Sequence, residues 1–194
     1  MALTKFDICS TALRLIGAEA ITDFSGTSSE STTASQFYQP TVDNWLSLYD
    51  WQFATTTVQL SRLSEAPESA WDAAYSQPDG AIKIQNVKVD DIPIAYDRFR
   101  DKIHCNALLS DQVFCDYTWS IGCEYWPPYF TELVQMALAG KFAMALAAKL
   151  DFKTSFNGDI DTQFRLAKNA DSRQQTAKRV NMRGRGSIFE ARRR

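Results

Sequence analysis

The hydrophobic positions of this chain follow a helical period at both ends and a period of two in between. Phe6, Cys9, Ala12, Leu13 and Ile16 recur at helical spacing up to Gly17, and Thr4 followed by Asp7 has the form of a capping box with the shorter acid. These predict a first amphipathic helix with a glycine stop. The stretch 22–31, TDFSGTSSES, is a loop by composition. A second helix is predicted over 31–50, with Phe37, Val42, Trp45, Leu46 and Tyr49 as its apolar stripe. Pro40 should kink or divide it, because proline has no N–H for the carbonyl four residues back.

From Trp51 onward, WQFATTT, aromatic and β-branched residues take over. Ile82 and Ile84 share one phase and Val87 and Val89 the other, which predicts a bulge or bend near Gln85-Asn86. Val113, Cys115, Tyr117, Trp119 and Ile121 alternate with a mostly polar set, a clear strand signal, and Ser110-Asp111 is the turn expected to pair it with 102–108 as a hairpin.

The helical period returns in 126–150, WPPYFTELVQMALAGKFAMALAAKL. Pro127 and Pro128 suit a helix start, and Gln135, Lys141 and Lys149 do not share a face, so the apolar surface runs nearly all the way round. The expectation is one central helix of roughly six turns. Two lysines and a glycine argue against a membrane span, and Ala143 and Ala145 sit where a neighbouring helix or subunit could come close. A turn at 154–158, TSFNG, then leads to a fourth helix carrying Ile160, Phe164, Ala167 and Ala170 up to about Arg179.

The predicted fold is therefore mainly α: a four-helix bundle (1–57 and 122–179, one discontinuous domain) with a small antiparallel β-sheet insert (58–121) between helices 2 and 3, and a flexible basic C-terminal arm (180–194). With 194 residues, 45% hydrophobic and 12% aromatic, the chain can bury a full core.

Charge adds a feature that the periodicity misses. Residues 178–194 hold seven basic side chains against Glu190 alone, a net of +6, while the preceding residues hold 14 basic and 22 acidic ones, a net of −8. An acidic body with a basic tail points to a separate partner for the tail. Ile188 and Phe189 set two apolar anchors among Arg183, Arg185, Arg192, Arg193 and Arg194.

Candidate chemistry is sparse. Cys9, Cys105, Cys115 and Cys123 form no CxxC pair or zinc-like spacing and read as buried reduced thiols, with Cys105 and Cys115 the one pair that a hairpin could bring close. The N-terminus lacks the uninterrupted apolar stretch of a signal peptide. His104, the one histidine, reads as a structural residue, and Asp90-Asp91 and Asp159 with Asp161 read as turn and helix-end aspartates. No nucleophile elbow, phosphate loop or metal signature appears, so no catalytic, cofactor-binding or metal-binding residue is assigned and no enzyme activity is expected.

The order of two helices, YDWQFATTT, AAYSQPDGAIKI leading a strand, a hairpin, then PPYFTELVQMALAGKFAMALAAKL and a polar last helix resembles the head-to-tail adaptor family of tailed bacteriophages, the tail tubular protein A of short-tailed phages. The similarity covers roughly residues 3 to 178. Gln77 stands where that pattern tends to have leucine, and nothing after Arg179 matches it. The resemblance implies a structural virion protein at the head-tail junction, assembled in the host cytoplasm. It would form a dodecameric ring that binds the portal protein above and a nozzle or tail-tube protein below, with DNA passing through during ejection, no cofactor and no membrane. On that reading the arm residues Arg183, Arg185, Ile188, Phe189 and Arg192 to Arg194 bind the portal, and Ala143 and Ala145 face a neighbouring subunit. The alternative is a small helical protein that binds nucleic acid through its Arg-rich tail.

Overall fold

The computed structural model describes residues 3–65, 67, 70–147 and 150–174. The capping box is formed: Thr4 N donates to Asp7 Oδ2 at 3.0 Å and Asp7 N to Thr4 Oγ1 at 3.2 Å, opening α1 (Lys5–Leu15). Gly17, at φ 78, closes it, with Ala18 N bonded to Leu13 O and Gly17 N to Arg14 O, the double bond of a Schellman end. α2 (Ser29–Leu48) starts on the Ser28 side chain and runs through Pro40 without a break. Just past that proline, Thr41 Oγ1 donates to Phe37 O at 2.6 Å and accepts from Lys141 Nζ at 2.8 Å. Burial at this contact pulls the Lys141 pKa down.

α3 (Pro128–Phe142) packs against α1, α2 and α4 (Leu150–Ser172), as an apolar surface on every side requires. It is shorter than the sequence suggests. The α-helix ends at Phe142 and a π-helical stretch, Ala143–Ala147, follows. The Ala-rich segment has high helix propensity, so no local signal marks the change. The turn expected at 154–158 lies inside α4, which places Asp159 and Asp161 within a helix and not at its end. α4 runs opposite to α3, since Tyr129 meets Asp171 while Glu132, further along α3, meets Gln163, earlier on α4.

The core of this helical body is filled by Ile8, Leu13, Val42, Leu46, Leu133 and Leu138 together with an aromatic hub around Trp51. The Trp51 ring lies edge-on to Tyr49 and Phe130, each 5.0 Å away, and its indole N–H donates to Trp45 O at 2.8 Å.

Among the described residues, seven strands lie between α2 and α3: β1 (Thr55–Gln59), β2 (Ala73–Ser76), β3 (Ala81–Val89), β4 (Ile92–Ile94), β5 (Tyr96–Phe99), β6 (Lys102–Cys105) and β7 (Val113–Trp119). They form antiparallel sheets ordered β1-β7-β3-β4 and β2-β6-β5. The expectation of a mainly α four-helix bundle with a small sheet insert is therefore overturned. The chain is 45% helical and 23% strand, a mixed α/β fold with two sheets. Nor do β6 and β7 pair as a hairpin; they belong to different sheets, although Asp111 does make the turn between them by accepting from Leu108 N at 2.8 Å.

The two sheets close on each other. β4 and β5 are one chain stretch that bends at Ala95, carrying the pairing from β3 to β6. Past β1 the chain leaves β7 and joins β2, through the Arg62–Tyr75 bridge and bonds Leu63 N to Ala74 O and Ser76 N to Ser61 O. The circuit β1-β7-β3-β4/β5-β6-β2-β1 is a small closed barrel filled by Leu60, Tyr75, Val87, Ile103, Val113 and Cys115. The irregularity expected near Gln85-Asn86 is present as a register shift between Ile84 and Asn86, and it turns Gln85 Nε2 onto Thr55 Oγ1 and Thr118 Oγ1 at 2.8 and 2.9 Å.

Candidate functional site

The distal end of the barrel carries the most deliberately built surface feature. Leu108 and Leu109, between β6 and β7, are 71% and 86% exposed, at a place where the chain could have used polar residues. The loop that presents them is braced. Arg62 Nη1 donates to Ala107 O at 3.1 Å and Leu108 O at 2.8 Å, and Asp111 N returns a bond to Leu108 O. Asn106 Oδ1 accepts from Asp72 N at 3.1 Å, tying the same loop to the start of β2. Below it lies the Tyr75 hydroxyl, buried and without a hydrogen-bond partner among the described residues. Burial pushes the Tyr75 pKa up, and Arg62 offsets this in part, chiefly through its charge.

A second built feature lies where α4 ends. The Asp171 carboxylate is fully buried, with Oδ1 accepting from Tyr129 Oη at 2.7 Å and Oδ2 from Gln52 N at 3.0 Å. It ties the last turn of α4 to the first turn of α3 and to the short 3-10 turn Gln52–Ala54 that leads into β1. Burial and then the bond to Asp171 push the Tyr129 hydroxyl well above its ordinary pKa.

The thiols are chemically quiet. All four cysteines are free, and burial pushes Cys9 and Cys115 up to about 12 and Cys105 to about 11. Cys105 and Cys115 sit on strands of different sheets and share the barrel core as thiols. His104, on β6, is 5% exposed with its ring stacked on Phe99 at 5.9 Å. Asp90 and Asp91 form the β3–β4 turn at φ 50 and 62. Among the described residues no group of three His, Cys, Asp or Glu side chains converges on a metal position, and no helix is long and apolar enough to cross a membrane.

Of the residues singled out from sequence, Ala143 is 1% exposed, enclosed by its own chain, whereas Ala145 is exposed, so a neighbouring subunit would reach Ala145 first. Arg183, Arg185, Ile188, Phe189, Arg192, Arg193 and Arg194 lie outside the described residues. Sequence reasoning missed Arg62, the leucine tip and Asp171. Leu108 falls at the end of the strand expected over 102–108, which hid the exposed pair, and the partners of Arg62 and Asp171 are remote in sequence and leave no local pattern.

No family model matches the chain, and no curated protein matches it.

Proposed function

We propose that the chain is a structural head-to-tail adaptor of a tailed phage. Copies of it form a ring between the portal and the nozzle or tail tube, and DNA passes through the ring. The reading starts from the resemblance in the order of its sequence segments. The observation that carries it further is the braced Leu108–Leu109 tip, two leucines held out to solvent on a loop fixed by Arg62 and Asp111. A preorganised apolar tip loses little freedom on docking, which is what a permanent joint between rigid rings calls for. We assign the tip to the tail-side partner and the segment 180–194, with five arginines against Glu190 alone, to carboxylates and apolar pockets of the portal.

The test is a pull-down on assembled portal rings, with the complexes imaged by negative-stain microscopy. The full chain should decorate the portal as a closed ring. Leu108→Ser with Leu109→Ser should leave that ring intact and lose the nozzle or tail-tube protein. Failure of the native chain to bind portal rings would sink the reading. The same arginines favour a second reading, direct nucleic-acid binding. Its signature is affinity for duplex DNA that falls steeply with salt.

A further inference from the structure

The braced leucines do not stand alone at the distal end. β3 ends beside the start of β7, with Val89 opposite Val113, and β4 returns with Ile92 opposite Val89. At the spacing of paired strands Ile92 is about 10 Å from Val113, so the β3–β4 turn leaves the barrel beside the loop that carries Leu108 and Leu109. Ile92 is 66% exposed and adds a third apolar side chain to this end. Next to Leu109 a groove of about 450 Å³ opens, lined by Leu63, Glu65, Asp72, Ala74 and Leu109 among others.

The charges here are sorted by sign. Arg62 is spent inside the protein, on the carbonyls of Ala107 and Leu108, and Lys88 is 3.0 Å from Asp116, with both side chains largely covered. The carboxylates of Asp72, Asp90 and Asp91 stand outside, and Asp91 comes no nearer to Lys88 than 3.9 Å. The turn itself does not ask for acids. Asp90 and Asp91 hold φ 50 and 62, the paired left-handed conformation for which asparagine followed by glycine is the usual choice, and two adjacent carboxylates repel each other. An apolar centre with carboxylates around it has the layout of an interface that gains affinity from the buried centre and orientation and selectivity from the charged rim.

We propose that this end of the barrel docks a basic protein surface. Leu108 and Leu109 enter an apolar pocket of the partner, and lysines or arginines around that pocket meet Asp72, Asp90 and Asp91. One such side chain fits the groove beside Leu109, with its stem on Leu63 and its charge at Asp72. Nucleic acid is the partner this face repels. The inference rests on the assignment of the tip to the nozzle or tail-tube protein, and adds the sign of the surface which that protein must present.

The test uses the full chain on portal rings, with purified nozzle or tail-tube protein added at low and at moderate salt. The variant Asp72→Asn, Asp90→Asn, Asp91→Asn removes three charges and keeps the shape, since asparagine takes a positive φ at least as readily as aspartate. At low salt the native chain should hold the added protein about tenfold more tightly than the variant does, and the gap should close as salt rises, because rim charges are screened. Equal or tighter binding by the variant at low salt would overturn the basic partner. The tip assignment would still stand as long as Leu108→Ser with Leu109→Ser loses the added protein; retention by that leucine variant would overturn both. Should the aspartate variant unfold at lower urea than the native chain, the native complex decides by itself: affinity that drops steeply with salt supports the proposal, and salt-independent affinity refutes it.

Discussion

Replacing Asp171 tests whether the end of α4 is fastened to the entrance of the barrel or merely lies beside it. The carboxylate is fully buried and accepts two bonds, from Tyr129 Oη at 2.7 Å and Gln52 N at 3.0 Å. Hydrogen bonds to a charged group contribute about 1.5–3 kcal/mol each, so losing both would cost about 3–6. Asp171→Ala also removes the desolvation penalty of the carboxylate, which moves the expected loss to the lower end, about 3 kcal/mol. Asp171→Asn keeps the shape. Its oxygen can accept from Gln52 N, which can only donate, while its amide N–H can donate to Tyr129 Oη. Both bonds survive in neutral form, at roughly half strength, for a loss of about 1–2 kcal/mol. Tyr129→Phe removes one bond and leaves one carboxylate oxygen short of a donor, a loss of about 1.5–3 kcal/mol. Urea unfolding followed by tryptophan fluorescence reads all three, since Trp51 stacks on Tyr129 at 6.4 Å and reports the same region. The Tyr129→Phe, Asp171→Ala double variant should cost less than the sum of its single variants, because both remove the same bond. Strict additivity, or an Asp171→Ala loss below about 0.5 kcal/mol, would show that the clasp is not an energetic feature of the fold.

Ala143→Leu should cost about 1–3 kcal/mol in the same assay, because its side chain is enclosed at 1% exposure, while the exposed Ala145→Leu should leave stability near that of the parent. The buried thiols predict an alkaline limit to stability. Cys9 and Cys115 have native pKa values raised to about 12, whereas an unfolded thiol titrates near 8.5, so between those values the unfolded chain binds fewer protons and stability falls as pH rises. The loss is at most about 1.4 kcal/mol per pH unit for each thiol, and Cys9→Ala should flatten the pH slope of the unfolding midpoint above about pH 9. An unchanged slope would contradict it.

The features legible in the sequence are those that a few adjacent residues determine. Thr4 and Asp7 announce the start of α1 and Gly17 its end, Pro127-Pro128 precede α3, and the phase change from Ile84 to Val87 marks the irregularity at Gln85. The barrel was not legible because its short strands carry no alternation of their own: AAYS and KIHC bury nearly every residue, AAYS pairing with KIHC about thirty residues on, while YDRF is mostly exposed. β7 shows why alternation alone misleads. Val113 and Cys115 point into the barrel as the pattern says, but Thr118, of the polar set, is fully buried and Trp119, of the apolar set, is 40% exposed. At that end the outer face of the strand is covered, with Thr118 under the displaced Gln85 side chain. The inside of the fold has changed sides while the period has not. The same limit applies to Asp171, whose sequence context is that of any helix-end aspartate until Gln52 is brought to it from 119 residues away.

The way the two bodies are joined bears most directly on the proposed role. The chain enters the barrel at β1 and leaves it at β7, and these strands pair from their first step, Thr55 opposite Thr118, so the connection is a two-stranded ribbon and not a single linker. A ribbon resists swivelling about its own axis, since rotation would break the ladder. Bending is opposed on both faces. Lys83 on β3 reaches Asp50 at 2.7 Å, Gln85 bonds both ribbon strands through their threonines, and Ile82 and Ile121 pack onto the helical core. The Lys83–Asp50 pair is partly exposed and contributes little alone, so the apolar contact and the Gln85 bonds should dominate. The leucine tip is thus carried at a set position relative to α3 by a closed circuit of strands and a braced two-stranded junction. An apolar tip on a swinging arm would find a partner by search and lose freedom on binding. One held by a braced ribbon presents the same geometry in every copy, which is the property required of identical subunits that must meet a partner together around a ring.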